Sequence, residues 1–137
     1  MAGKSLGITL EEARQVIRAG QEKAKQIGVA QNIAVVDAGA NLVVFERMEG
    51  AWIGSIDIAQ KKAFTSRAFD IETKALGQHS QSGGQFFGIH VSNGGVMIFA
   101  GGVPLKRGGE VVGAVGVSGG MGDEDQAVAE AAAAAFK

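Results

Sequence analysis

The sequence contains no cysteine, no tyrosine and only one proline among its 137 residues. Without a thiol the chain forms no disulfide, no thiolate zinc site and no iron–sulfur cluster. No apolar run approaches the roughly 20 residues of a membrane helix, and the first residues lack the apolar segment of a signal peptide. These absences predict a cytoplasmic protein that does not use a membrane.

The chain also lacks an excess of charge of either sign, because 13 basic residues are balanced by 14 acidic ones and the formal net charge is −1. Such a chain has no positive field to gather nucleic acid or anionic lipid, so neither is an expected partner. An apolar fraction of 46% with 20% charged residues is ordinary for a globular protein. The length suits one domain over residues 1–137.

Helical and strand periodicities alternate along the chain, and glycines separate them. Thr9 and Glu12 have capping-box spacing at the start of the first helix, which Gly28 ends. Later, Gly-Gly pairs recur every seven residues between short apolar segments, which predicts a meander of three strands. The predicted elements are a helix at 9–27, a hairpin of strands at 33–36 and 42–45, a helix at 55–70, a short helix at 73–79, three strands between 96 and 117, and a helix at 123–136 that Asp123 caps.

This order, α-ββ-α-βββ-α, predicts an α+β fold in which helices pack on a five-stranded antiparallel sheet. The 55–70 helix places small residues, including Ala59 and Ala63, on one face. Small side chains allow a helix to lie close to a sheet, so we expect this face to pack there.

Six short motifs follow one another between Leu10 and Ala131. They are Leu10-Glu11-Glu12-Ala13-Arg14, Val35-Val36-Asp37-Ala38-Gly39, Ser55-Ile56-Asp57-Ile58-Ala59 with Lys62-Ala63-x-Thr65, Gly101-Gly102-Val103-Pro104, Val112-Gly113-Ala114-Val115-Gly116-Val117-Ser118-Gly119-Gly120, and Asp125-x-Ala127-Val128-Ala129. In this order they resemble the GlcG/HbpS family, which includes the C-terminal domain of the PduO corrinoid adenosyltransferases. Family members usually have a second glycine after Asp-Ala-Gly, where this chain has Ala40. If that position requires a positive φ, alanine costs roughly 1 kcal/mol there.

The resemblance implies a profilin-like sheet, ring-like homo-oligomers and an association with haem or related tetrapyrroles. Haem is accordingly the expected cofactor, and no separate metal site is expected. The expected assembly is a homo-oligomer, either a tetramer or an octamer. In a monomer, the short glycine-rich strands and the apolar residues beside Lys62 would leave apolar surface exposed to solvent.

One face of the second long helix mixes polar and apolar side chains. Lys62 and Thr65 lie there between Ile58 and Phe69. In one interpretation Lys62 pairs with a ligand carboxylate while the apolar neighbours cover the body of the ligand. In the other, Lys62 extends across an oligomer interface and Thr65 bonds its own helix backbone. The sequence favours neither.

Asp37 and Arg47 bracket the predicted hairpin and are candidates to complete a polar pocket. Asp37 is equally suited to form the turn through bonds to its own backbone. Both residues are therefore candidate contacts for a small-molecule ligand, and the structural role of Asp37 stays open.

His79 and His90 lie in a glycine-rich region together with Phe86 and Phe87. Glycines let backbone approach a flat macrocycle, aromatic rings stack on it, and imidazole ligates iron. His90 is the preferred ligand, because apolar neighbours on both sides predict partial burial. Since cysteine and tyrosine are absent, the candidate side chains narrow to His79, His90, Met48, Met97 and Met121. Histidine is not part of the family pattern, so a ligand from elsewhere, including the Thr65 face, stays open.

Three functions fit these observations. The leading hypothesis is a binding protein for haem, or for a similar planar carboxylated ligand, held between subunits. The alternative is a small enzyme acting on a carboxylated catabolic intermediate, with Lys62 as electrophile or acid and Asp37 as base. The third is an oligomeric scaffold without a ligand.

Overall fold

The computed structural model describes Gly3 and residues 6–137. Its elements, in chain order, are α1 (Leu10–Ile27), β1 (Asn32–Asp37), β2 (Leu42–Arg47), α2 (Gly54–Phe69), α3 (Thr73–Gln78), a 3-10 helix (Ile89–Gly94), β3 (Gly102–Arg107), β4 (Glu110–Ser118) and α4 (Gly122–Ala134). The strands form one antiparallel sheet in the order β2-β1-β4-β3. The predicted α+β class is confirmed.

The start of α1 confirms the predicted capping box. The Thr9 hydroxyl accepts the Glu12 N–H at 3.1 Å, and the Glu12 carboxylate accepts the Thr9 N–H at 2.9 Å. Arg107, the last residue of β3, forms an ion pair with Glu12 and donates a hydrogen bond to the Gly7 carbonyl at 3.0 Å. These contacts join the helix start to the end of an edge strand.

The turn between β1 and β2 contains a strained alanine. Ala40 has a φ of 62°, in the left-handed region that a side chain disfavours. The positive φ considered from the sequence is therefore present, and alanine stands where glycine would fit without strain.

The sheet has four strands in the described chain, so the prediction of five is wrong. Residues 96–100 were expected to be the first strand of the meander, but they form no ladder. The N–H of Met97 donates to the Thr65 hydroxyl at 3.0 Å, and the N–H of Gly101 donates to the Gln126 side chain at 3.1 Å. Side chains of α2 and α4 thus accept hydrogen bonds from backbone N–H groups that would pair with a neighbouring strand in a sheet.

The last helix also begins differently from the prediction. α4 starts at Gly122, with Met121 in the cap position, whereas Asp123 was expected to cap it. Glu124 accepts the N–H of Met121 at 2.8 Å. Asp123 instead lies within the first turn, where a negative charge favours the positive end of the helix dipole.

The sheet separates two helical layers. α1 and α4 pack on one face over branched strand residues such as Ile33 and Val115. α2 packs on the other face, where Ala59 and Ala63 are fully buried as predicted. A Cβ added to Gly116 would lie 2.5 Å from the Ala63 backbone nitrogen, so the helix backbone rests directly on the strand.

Among the described residues, no helix combines the length and apolar character needed to cross a membrane.

Candidate functional site

Lys62 is fully buried, and its charge is compensated within the chain. Its Nζ lies 3.0 Å from Asp125 Oδ2 and 2.8 Å from the Val117 carbonyl oxygen. The Phe99 ring centroid is 4.9 Å from the same nitrogen. Burial lowers the pKa of Lys62, and the Asp125 carboxylate opposes that shift. Lys62 therefore acts first as a structural ion-pair partner.

Lys62 reaches Asp125 by passing beside a glycine. Lys62 starts on α2, whereas Asp125 lies on α4 across the sheet. A Cβ on Gly101 would lie 2.7 Å from Lys62 Nζ, so no side chain fits at that position. Gly101 also has a φ of 124°, which other residues rarely adopt. The ion pair thereby fastens the two helical layers to each other.

Thr65 is also fully buried and bonded within the chain. Its hydroxyl donates to the Lys61 carbonyl at 2.6 Å and accepts the N–H of Met97 at 3.0 Å. The bond to its own helix backbone is the arrangement considered from the sequence, and the second bond anchors the segment after the histidines. A ligand would reach Lys62 or Thr65 only after these contacts rearranged.

The structure separates Asp37 from Arg47. Asp37 Oδ1 accepts the N–H groups of Gly39 and Asn41 at 2.9 and 3.0 Å, so it forms the turn. Arg47 is exposed at the other end of the ladder, where its Cα partner is Asn32. The two ends of β1 are five residue steps apart, which is roughly 16 Å. The predicted shared pocket is therefore not formed within one chain.

The two histidines lie on a largely exposed segment, the histidine loop (residues 79–99), in which Ser80 and Val96 are buried. His79 packs edge-on to Phe86 with ring centroids 6.1 Å apart, and His90 packs in the same way on Phe87 at 6.2 Å. Both histidines are exposed, so the predicted partial burial of His90 is wrong. Its neighbour Val91 is 75% exposed because the 3-10 helix projects from the core.

The described residues enclose no pocket, and no three histidine or carboxylate side chains gather to hold a metal ion. The exposed imidazoles of His79 and His90 are chemically able to supply one axial ligand.

Two groups of interest were missed from the sequence. Asp125, the partner of Lys62, was noted only as part of a motif, because no local pattern connects residues so far apart. Trp52 is the sole tryptophan and is 62% exposed, yet nothing around it in the sequence predicts a role.

A protein-family model described as haem-degrading protein HbpS-like matches residues 8–134. The chain belongs to the HbpS-like family. A 15.0 kDa protein from the dhaT–dhaS intergenic region of Citrobacter freundii is 37% identical over 130 residues, which cover 94% of this chain and 92% of the relative. The GlcG/HbpS resemblance drawn from the six motifs is confirmed.

Solved structures match almost the whole chain. Klebsiella pneumoniae protein ORFY has a TM-score of 0.93 and 35% identity, and the match covers 98% of this chain and 94% of that one. A complex of PduOC with heme has a TM-score of 0.91 and 33% identity, and the match covers 96% of both chains. At least one structurally similar protein therefore binds heme on this fold.

Proposed function

We propose that this HbpS-like protein binds haem, or a related planar carboxylated ligand, between the subunits of a homo-oligomer. The observation that carries the proposal is the pair of exposed imidazole–phenylalanine contacts on the histidine loop. The similarity to PduOC, whose complex with heme has this fold, supports haem as the ligand. We also propose that the sheet has the profilin-like form that the family resemblance implies.

The histidine loop has the chemistry that a metallated macrocycle requires. An imidazole supplies an axial ligand, and a phenylalanine beside it covers apolar ring surface. Phe87 is 64% exposed and Phe86 is 44% exposed, so both rings are available for contact. His90 remains the proposed iron ligand, with His79 as the other candidate.

The absence of an enclosed pocket in the described chain favours a site between subunits. A haem lying on one exposed loop would leave its second face in water, whereas ligand sites bury most of the ligand surface. A second copy of the chain would cover that face. Exposed apolar side chains on the histidine loop, including Val91, would be covered at the same time. A tetramer or an octamer with closed symmetry is the proposed assembly.

The alternative of a small enzyme gains no support from the geometry. Lys62, proposed as its acid or electrophile, is buried against Asp125, and Asp37, proposed as its base, is occupied by the turn. Neither side chain faces a cavity in the described chain.

The test is a hemin titration of the wild type, His90→Ala and His79→Ala, followed by difference absorption spectra. We expect saturable binding with a Soret band in the wild type and its loss in His90→Ala. Loss only in His79→Ala would transfer the iron ligand to that residue, and equal spectra for all three proteins would remove both histidines. Absence of saturable binding in the wild type would refute the haem proposal. Light scattering at micromolar concentration that gives the mass of one chain, 14.0 kDa, would refute the assembly.

A further inference from the structure

A second exposed surface combines the sole tryptophan with an unpaired arginine. The Cα atoms of Arg47 and Asn32 are partners in the β1–β2 ladder, so their side chains share one face of the sheet. Asn32 Nδ2 donates to the Trp52 carbonyl oxygen at 3.0 Å. Arg47 and Trp52 are therefore both neighbours of the same buried asparagine.

This end of the sheet is left uncovered by the helices. α2 packs mainly on β4, β1 and β3 and contacts β2 only marginally. No residue of β2 is buried, Trp52 is 62% exposed, and the adjacent Ile53 is 77% exposed. Arg47 and Trp52 are consequently two exposed residues that adjoin the same buried asparagine.

The charges at this surface favour an anion. Arg47 has no ion-pair partner in the described part of the chain, whose salt bridges involve other residues. The nearest acid on its own strand, Glu46, points to the opposite face and accepts a hydrogen bond from Gln21 of α1 at 2.7 Å. Glu49, two residues beyond Arg47, is exposed and forms no ion pair with Arg47 in the described chain. The guanidinium is thus free to bind a carboxylate with its two parallel donors.

The buried asparagine adds a polar group that lacks a partner. Asn32 is fully buried, and its Oδ1 accepts no hydrogen bond. An unpartnered buried acceptor costs roughly 1–3 kcal/mol. A donor brought by a ligand or by an ordered water molecule at this surface would remove that cost.

We infer that Trp52 and Arg47 form a contact surface for the planar carboxylated ligand, with the ring system stacked on the indole and a carboxylate bound by the guanidinium. This inference rests on the proposed function and adds the site of the carboxylate. Iron ligation is a separate contact, so binding at this surface does not require iron.

The experiment uses protoporphyrin IX, which has the carboxylates but no metal, and its dimethyl ester, which has neither. Dissociation constants are measured by porphyrin absorption for the wild type, Arg47→Gln and Trp52→Leu. We expect each substitution to weaken protoporphyrin IX binding roughly tenfold, the scale of a charge-assisted bond or an aromatic stack. With the dimethyl ester, Arg47→Gln should bind as the wild type does.

A matched control separates this site from the rest of the surface. Arg14→Gln removes an exposed arginine of α1, which neither the proposed function nor this inference places at the ligand. Arg14→Gln should leave the dissociation constant unchanged. Unchanged melting temperatures would show that every variant is folded.

Three results would overturn the inference. One result is that hemin and protoporphyrin IX bind the wild type, and that Arg47→Gln and Trp52→Leu bind protoporphyrin IX with the same dissociation constant as the wild type. The inferred contact surface is then wrong, while the proposed function stands. If neither porphyrin binds the wild type, the proposed function fails and the inference fails with it. A loss in Arg47→Gln that persists with the dimethyl ester would refute the role of the guanidinium as carboxylate partner.

Discussion

Replacing Ala40 with glycine should stabilise the protein. Ala40 has a φ of 62°, and its N–H donates to the Asp37 carbonyl oxygen at 2.9 Å within the β1–β2 turn. The left-handed conformation costs alanine roughly 1–2 kcal/mol, and glycine adopts it without steric conflict. The structure therefore contains strain that a single substitution relieves without moving the turn.

The expected gain is smaller than the strain, because glycine has more freedom in the unfolded chain. That freedom costs about 0.5–1 kcal/mol on folding, so the net stabilisation, taken from the middle of the two ranges, should be about 0.75 kcal/mol. For a domain of this size the melting temperature should rise by about 2–4 °C. The loss of one half-buried methyl group subtracts little from this gain.

The assay is urea unfolding of the wild type and Ala40→Gly, followed by circular dichroism. Ala19→Gly in the middle of α1 is the matched control, because the same chemical change at a helical φ should cost about 1 kcal/mol. The two substitutions should thus shift the free energy of unfolding in opposite directions. Equal destabilisation by both would refute the argument from strain.

The two remaining predictions concern charged side chains. Lys62→Met should cost about 3–5 kcal/mol in free energy of unfolding, because it leaves the Asp125 carboxylate buried and unpaired. The double variant Lys62→Met, Asp125→Asn should regain part of the lost free energy of unfolding, measured by urea unfolding. If the costs of the two single substitutions simply added in the double variant, the ion pair would be contradicted. The pKa of Glu12 is lowered mainly by the Thr9 backbone N–H, so its stabilising effect is present above the ordinary pKa of 4.5 and disappears as pH falls through the lower native value. The difference in unfolding free energy between wild type and Glu12→Gln should therefore shrink from pH 7 to about pH 3, and a constant difference would exclude this origin.

Local signals predicted most of the fold. The capping box of Thr9 and Glu12 and the turn at Asp37 each depend on residues within four positions, and the structure contains both. The predicted fifth strand failed for a non-local reason. Its apolar pattern was suitable, but side chains of Thr65 and Gln126 bind the backbone at its two ends.

The candidate site was harder to predict for the same reason. Lys62 was noticed from its unusual neighbours, yet its partner Asp125 is 63 residues away and nothing local indicates the pairing. The apolar neighbours of His90 suggested burial, but they lie on a segment that projects from the core. Trp52 and Arg47 are brought together through Asn32, which is a cross-strand relation that one-dimensional spacing does not show.

The ion pair across the sheet also has a consequence for synthesis on the ribosome. Lys62 is made 63 residues before Asp125, a delay of about 3–13 s at ordinary translation rates. For most of that interval β4, on which α2 mainly packs, has not been made. Once β4 is made, α2 would still bury an uncompensated charge until Asp125 follows, which is strongly unfavourable. The face of α2 that carries Ala59 and Ala63 should therefore stay accessible to chaperones until α4 emerges. The helices on the two faces of the sheet should then pack in one cooperative step.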